Sequence, residues 1–339
     1  MTSAPPISVV VTAHQRKKYL MEAVKSALNQ TLERDLYEVI VVKDFEDAGI
    51  DQQLASLRVR TIQSADLRNG AMASLGVEAA RGEVISFLDD DDLFAPQKLG
   101  RVLEAFRGGA DYFHNGRLFI NESGRPIGAK SLSGVVQGEG KARYLRWMLV
   151  NSADQNSSST SIRRELLDEK TLGQVELSAD TYYFVCALLK GKKLVFDPSP
   201  LTLYRVHGQQ SGWELSSADA YLKRQAASTE AYSRDYSLFA ELLAGTPYEG
   251  AAVYFSSYNE LARLALPSPF GPRAAFSRAL GAAASMLAFP PTSAKEFAYF
   301  FSLLLTPFIP DPLRRARAGL SMRLKLAAQR TQGVPADKP

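Results

Sequence analysis

The sequence predicts an α/β fold with a mainly parallel sheet flanked by helices, followed by an α-helical C-terminal region. In the first 110 residues, short apolar segments typical of buried strands alternate with segments of helical periodicity. Such alternation is typical of right-handed crossover units, which build parallel sheets. After Trp213 the composition changes to Ala-rich helical segments separated by Pro-rich joints, which indicates the helical region.

The elements of the first half alternate strictly between strand and helix. Strands are predicted at Ile7–Thr12, Val39–Val42, Val59–Ile62 and Val84–Leu88. Apolar residues recur at helical spacing from Tyr19 to Leu28 and from Gly70 to Ala80, and Pro96 suits the first turn of another helix.

From Asp111 to Tyr204 the pattern is mixed. Strands are predicted at Tyr112–Ile120, Ser157–Ile162, Leu194–Phe196 and Leu201–Tyr204. Helices are predicted at Arg163–Asp168 and Asp180–Leu189, and the Gly- and Ser-rich stretch Ser133–Gly140 is predicted to be a loop.

Composition excludes several classes of protein and partner. The 339 residues include 40 basic and 36 acidic ones, and a net charge of +4 gives no argument for nucleic-acid binding. A single cysteine cannot close an intrachain disulfide, which favours a reducing compartment. With neither a signal-peptide pattern nor a run of about 18 apolar residues, we expect a cytoplasmic location.

Four consecutive aspartates, Asp89 to Asp92, follow the fourth predicted strand. Ligands of parallel sheets bind beyond the carboxyl ends of the strands, and Asp89 and Asp91 point to the same side there. Adjacent carboxylates repel one another unless a cation or basic groups balance them. Mg²⁺ and Mn²⁺ are commonly held by one or two carboxylates plus substrate phosphates. The position therefore predicts a metal–diphosphate site, and the alternative is a solvated acidic turn that caps the next helix.

Other phosphate, metal and nucleophile motifs are absent from the sequence. Gly140-Lys141 lacks the first glycine and the Ser or Thr of a P-loop, and no G-x-G-x-x-G follows the first strand. The sequence contains neither H-E-x-x-H nor G-x-S-x-G, and three scattered histidines do not suggest zinc.

Four motifs in this order resemble those of the family 2 glycosyltransferases, which have the Rossmann-like GT-A fold. They are Ser8–His14, Ser26–Thr31, Glu38–Asp44 and Gly82–Asp92. The resemblance covers about residues 7–215. It implies inverting transfer of a sugar from a nucleotide-diphosphate donor to an acceptor hydroxyl on a glycan or lipid-linked glycan.

The resemblance also implies site residues by position. A nucleotide-binding role falls on Thr12, His14, Asp44, Arg68 and Asp90. The ligands of a divalent metal, Mn²⁺ or Mg²⁺, would be Asp89, Asp91 and His207, and the general base would be Asp180. From the residues alone, Asp180 also suits a helix N-cap, Asp44 a turn, Arg68 a surface arginine and His207 a hydrogen-bonded loop histidine.

The sequence departs from the family pattern around the nucleotide. His14 stands where an aromatic residue is usual, Lys43 replaces the first acid of an Asp-Asp pair, and Ala179 precedes the base where Glu is frequent. These departures do not change the reaction type that the resemblance implies, but they leave the identity of the nucleotide open. A UDP-sugar is favoured because the family uses it often.

Two other functions are compatible with parts of the sequence. Sugar-1-phosphate nucleotidyltransfer needs a Gly-rich loop after the first strand, and His14 to Lys18 contain no glycine. A catalytically silent nucleotide-sugar-binding subunit is the second alternative. The Asp89, Asp91 and Asp180 carboxylates argue against it, and the altered loop after Lys43 leaves it open.

We predict a catalytic domain over residues 1–215, with a nucleotide half at 1–110 and an acceptor half at 111–215. A helical region follows at 216–332, and residues 333–339 are a predicted disordered tail. Between Pro312 and Arg330, six basic and no acidic residues accompany apolar residues at helical spacing. This pattern predicts an amphipathic helix on an anionic membrane surface, and the alternative is a helix packed on the catalytic domain.

The membrane prediction is tested by flotation with liposomes. We expect the intact chain to float with anionic liposomes at low salt and to be released by high salt, because basic side chains bind anionic headgroups through a screened attraction. Zwitterionic liposomes are the control. An intact chain that stays unbound at low salt contradicts membrane attachment.

Overall fold

A computed structural model describes residues 4–15, 18–207, 217–264, 266 and 277–282. The chain divides into two compact units, Met1–Arg205 and Val206–Pro339. The predicted boundary near residue 215 lies outside the described residues, as do the predicted basic helix at 312–330 and the tail at 333–339. These three features therefore stay predictions.

The first unit combines strands and helices. Its strands are β1 (Ile7–Ala13), β2 (Tyr37–Lys43), β3 (Arg60–Gln63), β4 (Val84–Asp89), β5 (Leu93–Phe94), β6 (Tyr112–Ile120), β7 (Pro126–Lys130), β8 (Gly134–Gln137), β9 (Thr160–Arg163) and β10 (Lys193–Arg205). Its helices are α1 (Leu20–Leu28), α2 (Ala48–Ser56), α3 (Asn69–Ala79), α4 (Lys98–Arg107), α5 (Gly140–Arg143), α6 (Leu145–Val150), α7 (Glu169–Leu172) and α8 (Ala179–Lys190). Short 3₁₀ turns lie at Arg34–Leu36, Ser157–Ser159 and Arg164–Leu166.

The strands form one sheet in the order β3-β2-β1-β4-β9-β6-β10-β5, with β7 beside β6 and β8 beside β10. The first four strands of this order are parallel to one another, as their alternation with helices predicts. β6 and β10 are also parallel, whereas β9 runs antiparallel to both β4 and β6. The predicted α/β fold class is confirmed.

The core around β1 is closed on both faces of the sheet. Val9 and Val11 share a buried cluster with the apolar residues of α1. Val10 points to the opposite face, where Gly76 of α3 leaves room for its side chain. Burying such a side chain contributes about 1.5–3 kcal/mol, which explains why the central strands are apolar throughout.

Several predictions for the second half were wrong. Ser133–Gly140 contains strand β8 rather than a loop, because Val135 and Val136 pair with β10. The two predicted strands after Lys193 are one strand, and its pairing with β6 continues through register shifts between Asp197 and Thr202. Such irregularities accommodate the prolines there, which have no N–H to donate.

Two further boundaries differ from the predictions. β9 begins at Thr160 after a 3₁₀ turn, and the predicted helix over Arg163–Asp168 is a 3₁₀ turn. Helix α4 begins at Lys98, so Pro96 precedes it and does not lie in its first turn. Both segments are short, and tertiary contacts outweigh local propensity in such segments.

Cys186 lies in α8 and is 3% exposed. Burial raises the pKa of its thiol to about 11. The side chain therefore acts as a small apolar group in the core.

The described part of the second unit consists mainly of two helices, α9 (Ala218–Leu243) and α10 (Glu249–Leu264). They pack through aromatic rings, with 5.4 Å between the ring centroids of Tyr236 and Phe255. Asn259 Nδ2 donates to the carbonyl oxygen of Thr229 at 3.0 Å. None of the helices in the described ranges is long and apolar enough to cross a bilayer.

Helix α3 packs closely on the segment after α7, and a pair of glycine substitutions tests this contact. A Cβ at Gly70 would lie 2.2 Å from the carbonyl oxygen of Leu172 and 2.6 Å from that of Val175. We expect Gly70→Ala to lower the free energy of unfolding by about 1–3 kcal/mol, because backbone atoms must move. Urea-unfolding midpoints measure the change.

The control is Gly100→Ala in α4, where a Cβ would meet no atom within 4 Å. This substitution reduces the conformational freedom of the unfolded chain, so we expect the free energy of unfolding to rise by about 0.5–1 kcal/mol. Equal effects of the two substitutions would contradict the close packing of α3.

Candidate active site

The carboxyl ends of β1, β2 and β4 bring three predicted site segments together. Thr12 pairs with Val42 of β2 on one side and with Asp89 of β4 on the other. Residues that end these strands therefore share one edge of the sheet, where parallel α/β proteins bind ligands.

Asp44 fixes the loop after β1. Its Oδ1 accepts a hydrogen bond from the backbone N–H of Gln15 at 2.9 Å, and its Oδ2 lies 3.3 Å from His14 Nδ1. The Asp44 side chain is only 3% exposed. The structure thus joins two predicted nucleotide-binding residues, His14 and Asp44, directly to each other.

Lys43, which departs from the family pattern, has a structural role in the neighbouring loop. Its Nζ donates to the carbonyl oxygen of Phe45 at 2.6 Å and to Gln63 Oε1 at 3.1 Å. It also forms an ion pair of 3.0 Å with Asp51 of α2. The buried lysine therefore holds the β2–α2 connection, which carries Asp44.

The four aspartates form a turn, in which the N–H of Asp92 donates to the carbonyl oxygen of Asp89 at 3.2 Å. Asp90 Oδ2 accepts from the N–H of His14 at 3.1 Å, so it fastens the turn to the β1 loop. Asp92 Oδ1 accepts from the N–H of Arg205 at 2.9 Å. The even-numbered aspartates thus hold the turn in place, and Asp89 and Asp91 are the positions predicted to face the ligand.

The turn carries more negative charge than its surroundings balance. Burial, and then the charges of the other three aspartates, raise the pKa of Asp89 well above its usual range. Burial and the neighbouring Asp91 raise the pKa of Asp92 to about 7. A cation would relieve this repulsion, and carboxylate oxygens are the ligands that Mg²⁺ and Mn²⁺ prefer.

Within the described ranges, no three His, Cys, Asp or Glu side chains come together as a complete metal-binding group. Two carboxylates, Asp89 and Asp91, fit a cation that takes its remaining ligands from substrate phosphates and water. The donor set therefore fits a divalent metal that binds together with a diphosphate.

Asp180, the predicted base, lies in the first turn of α8. Ser178 occupies the N-cap position, so Asp180 is not the capping residue that the alternative interpretation predicted. Its Oδ2 accepts from the N–H of Asn156 at 2.7 Å and its Oδ1 from its neighbour Thr181 at 2.9 Å. Burial raises the pKa of Asp180, and these two N–H groups oppose the shift.

Asn156 connects the base to the acidic turn, and the sequence motifs do not include it. Its backbone N–H binds Asp180, while its side-chain Nδ2 donates to Asp92 Oδ2 at 3.2 Å. Ser159 Oγ donates to the remaining amide oxygen at 2.7 Å. The backbone of Asn156 has φ 79°, a conformation that asparagine tolerates better than most residues.

Two buried basic side chains also support the turn. Arg205 donates from Nε to the carbonyl oxygen of Asp91 at 3.0 Å and from Nη2 to Glu22 Oε2 at 2.8 Å. Lys98 donates to the carbonyl oxygen of Ser158 and to Thr202 Oγ1, and burial lowers the pKa of its amine well below the usual range. Arg205 lies two residues before the predicted metal ligand His207, whereas no sequence signal marks Lys98.

Arg68 and His207 are the two remaining predicted site residues. Arg68 is exposed and forms a two-pronged ion pair with Asp66 just before α3. His207 is 2% exposed and belongs to the second unit. Their roles toward nucleotide and metal stay predictions.

The polar side chains buried in the second half of the unit include His114 and Arg117 of β6, and Asp154. Burial and then the charge of Arg117 lower the pKa of His114 to about 3, so the ring is neutral. Its Nε2 lies 2.9 Å from the carbonyl oxygen of Gln155 and acts as the donor. Burial and the charge of Asp180 raise the pKa of Asp154 to about 7.

Comparison with known proteins agrees with this geometry. A family model described as "Glycosyl transferase family 2" matches residues 8–170. The chain is 25% identical over 214 residues to "Putative glycosyltransferase EpsH" of Bacillus subtilis, covering 60% of this chain and 61% of that protein. It is 28% identical over 232 residues to "Uncharacterized glycosyltransferase alr2836" of Nostoc sp., covering 66% of this chain and 70% of that protein.

Solved structures show the same fold. The chain resembles S. aureus TarS 1-349, with a TM-score of 0.52, 16% identity and coverage of 96% of this chain and 91% of that one. A TarS structure in complex with UDP-GlcNAc gives a TM-score of 0.50 at 14% identity, covering 88% and 90%. The mannosyltransferase PcManGT from Pyrobaculum calidifontis, in complex with GDP-Man and Mn²⁺, gives 0.53 at 15% identity, covering 99% and 89%. At these identities the likeness shows the fold, which is of the GT-A type.

The neutral His114 predicts a pH-dependent stability. Between its usual pKa of about 6.5 and its native value of about 3, the unfolded chain binds a proton that the native state does not. We expect the wild type to lose stability relative to His114→Gln as the pH falls below 6.5, approaching about 1.4 kcal/mol per pH unit. Glutamine keeps a donor near Gln155 and does not titrate.

Urea unfolding of both proteins between pH 7 and 5 measures this difference. Buried carboxylates contribute to both proteins alike and cancel when the two are compared. If the difference in unfolding free energy between the two proteins did not change with pH, His114 would be protonated in the native state just as it is in the unfolded chain.

Proposed function

Because a family 2 glycosyltransferase model matches residues 8–170, we propose that the chain belongs to that family and moves a sugar from a nucleotide-diphosphate donor to a glycan or lipid-linked glycan hydroxyl, with inversion. The observation that carries this proposal is the connection through Asn156. One residue binds both the Asp89–Asp92 turn and Asp180. Groups suited to the leaving diphosphate and to the attacking hydroxyl therefore lie side by side.

The donor half of the proposal rests on the β1, β2 and β4 ends. Thr12, His14, Asp44 and Asp90 lie there, and Arg68 begins α3. Two proteins of this fold have nucleotide-diphosphate sugars bound, UDP-GlcNAc in TarS and GDP-Man in PcManGT. We favour a UDP-sugar for this chain, with Asp44 as the acceptor of a hydrogen bond from the base.

A divalent metal, Mn²⁺ or Mg²⁺, would be held by Asp89 and Asp91, with His207 as a further candidate ligand. When bound, it would neutralise the negative charge that grows on the departing diphosphate. PcManGT, a protein of the same fold, was solved with Mn²⁺.

Asp180 would act as the general base. The acceptor hydroxyl gives its proton to the Asp180 carboxylate, and the hydroxyl oxygen forms a bond to the anomeric carbon. The bond from that carbon to the diphosphate breaks on the opposite face, and its electron pair leaves with the nucleotide. Because attack and departure occur on opposite faces, the configuration inverts without a covalent intermediate.

The two alternative functions have less support. In the loop after β1, the N–H groups of His14 and Gln15 donate to Asp90 and Asp44. These residues do not form a glycine-rich phosphate cradle, which disfavours nucleotidyltransfer. A silent binding subunit has no need for a half-buried Asp180 beside the acidic turn.

We also propose a cytoplasmic location with peripheral attachment to the inner face of the membrane. The flotation experiment tests the membrane attachment.

Two carboxamide variants separate the proposed roles. We expect Asp91→Asn and Asp180→Asn each to lower nucleotide release from a UDP-sugar by at least about 100-fold, with Mn²⁺ and acceptor present. Asp91→Asn should also lose the Mn²⁺-dependent affinity for UDP in calorimetry. Asp180→Asn should keep that affinity, because its side chain lies on the acceptor side.

The exposed carboxylate variant Asp35→Asn is the matched control and should match the wild type in both assays. Unfolding curves establish that all variants fold. A fully active Asp180→Asn would contradict the proposed role of Asp180 as the base. A nucleotide affinity that does not change with Mn²⁺ or Mg²⁺ would contradict the proposed metal site.

A further inference from the structure

Beside Asp180 lies a group of polar side chains, three buried and one half-buried, that neither the metal nor the base role uses. It consists of His114 and Arg117 from β6, Lys130 from β7, and Asp154 from the segment between α6 and β9. Asp154 is 5% exposed, Arg117 7% and His114 3%. We call these four residues the acceptor-side cluster.

Two atoms of the cluster have unused hydrogen-bonding capacity. Throughout the described ranges, no group donates to Asp154 Oδ1 or pairs with His114 Nδ1. Buried polar atoms are nearly always satisfied in native proteins, so an unpaired carboxylate oxygen indicates a partner that the chain itself does not supply.

The backbone around Asp154 is held in an unfavourable conformation. Ser152 has φ 60° and Asn156 has φ 79°, so two non-glycine residues in the left-handed region flank Asp154. Lys130 Nζ holds Ser152 Oγ at 2.7 Å, and Asp180 holds the N–H of Asn156. Such strain persists where the surroundings over-determine it, which is common at functional sites.

Asp154, Arg117 and Asp180 are coupled electrostatically. Burial and then the charge of Asp180 raise the pKa of Asp154, burial raises that of Asp180, and the charge of Arg117 opposes both shifts. Burial lowers the pKa of Arg117 itself, and the charges of Tyr204, Asp180, Asp92 and Asp154 oppose this shift. The guanidinium therefore lies near the carboxylates of Asp180 and Asp154.

When Asp154 and Asp180 are both ionised, their formal charges balance those of Arg117 and Lys130. A phosphate or carboxylate on the ligand would add unbalanced charge in a buried region, which is costly. A neutral sugar hydroxyl fits better, because it donates to a carboxylate oxygen and accepts from a guanidinium.

We propose that Arg117 and Asp154 bind the acceptor as a neutral saccharide unit, at two hydroxyls next to the one that Asp180 deprotonates. Asp154 Oδ1 accepts a hydrogen bond from one hydroxyl, and the Arg117 guanidinium donates to the other. This inference rests on the proposed glycosyl transfer and names the chemical class of its acceptor.

The test measures nucleotide release from a UDP-sugar with Mn²⁺, with and without acceptor probes. The neutral probes are the methyl glycosides of glucose, galactose, mannose and N-acetylglucosamine, and the charged probes are glucuronic acid and glucose 6-phosphate. We expect at least one neutral glycoside to raise the rate above that without a probe, and the charged probes to be poorer. Stimulation by charged probes alone, or by none, overturns the neutral-saccharide assignment.

Substitutions then test the residues. Asp154→Asn and Arg117→Met should each raise the KM for the stimulating glycoside by about 10- to 100-fold, as expected for losing a hydrogen bond to a charged group. Their Kd for UDP with Mn²⁺ should stay within about twofold of the wild type, because the donor lies on the other side. If the two residues had a purely structural role, the KM for the glycoside and the Kd for UDP would change together.

The matched control is Glu165→Gln, an exposed carboxylate variant in the same half of the domain. It should leave both constants unchanged. An unaltered acceptor KM in folded Asp154→Asn overturns the assignment of Asp154, and the same result in Arg117→Met overturns that of Arg117. If no UDP-sugar, GDP-sugar or other nucleotide sugar releases nucleotide, the proposed function itself has failed.

Discussion

The hydrogen bonds of Asn156 are the constraint on which the candidate site depends. Its backbone N–H binds Asp180 and its side chain binds Asp92, so one residue links the proposed base to the acidic turn. This residue has a positive φ of 79°. Catalytic groups need placement within fractions of an ångström, and a two-sided tether of this kind provides it.

The site concentrates buried charge that destabilises the fold on its own. Burial raises the pKa values of Asp89, Asp92, Asp154 and Asp180, and neighbouring carboxylates add to the shifts of the first three. Arg205 and Lys98 hold the backbone around the turn and so keep these groups in place. Active sites commonly retain such unfavourable electrostatics, since the charge is balanced when substrate and metal bind.

The elements that the sequence predicted are those with local signals. Apolar runs between polar turns defined β1, β2 and β4, and the order of the motifs placed Thr12, Asp44 and Asp89 at one sheet edge. Asn156 and Lys98 gave no comparable signal, because their partners lie far away in sequence. Strand β8 and the continuous β10 likewise depend on pairing between distant segments, which periodicity within one segment does not report.

The buried thiol of α8 has a practical consequence for experiments. Cys186 is the single cysteine in the sequence, and its burial and high pKa make it inert toward alkylating reagents at neutral pH. A cysteine introduced at the exposed position Leu67, next to Arg68, would therefore accept a fluorophore selectively in the otherwise native chain. Fluorescence from that label would follow ligand association in real time without prior removal of Cys186.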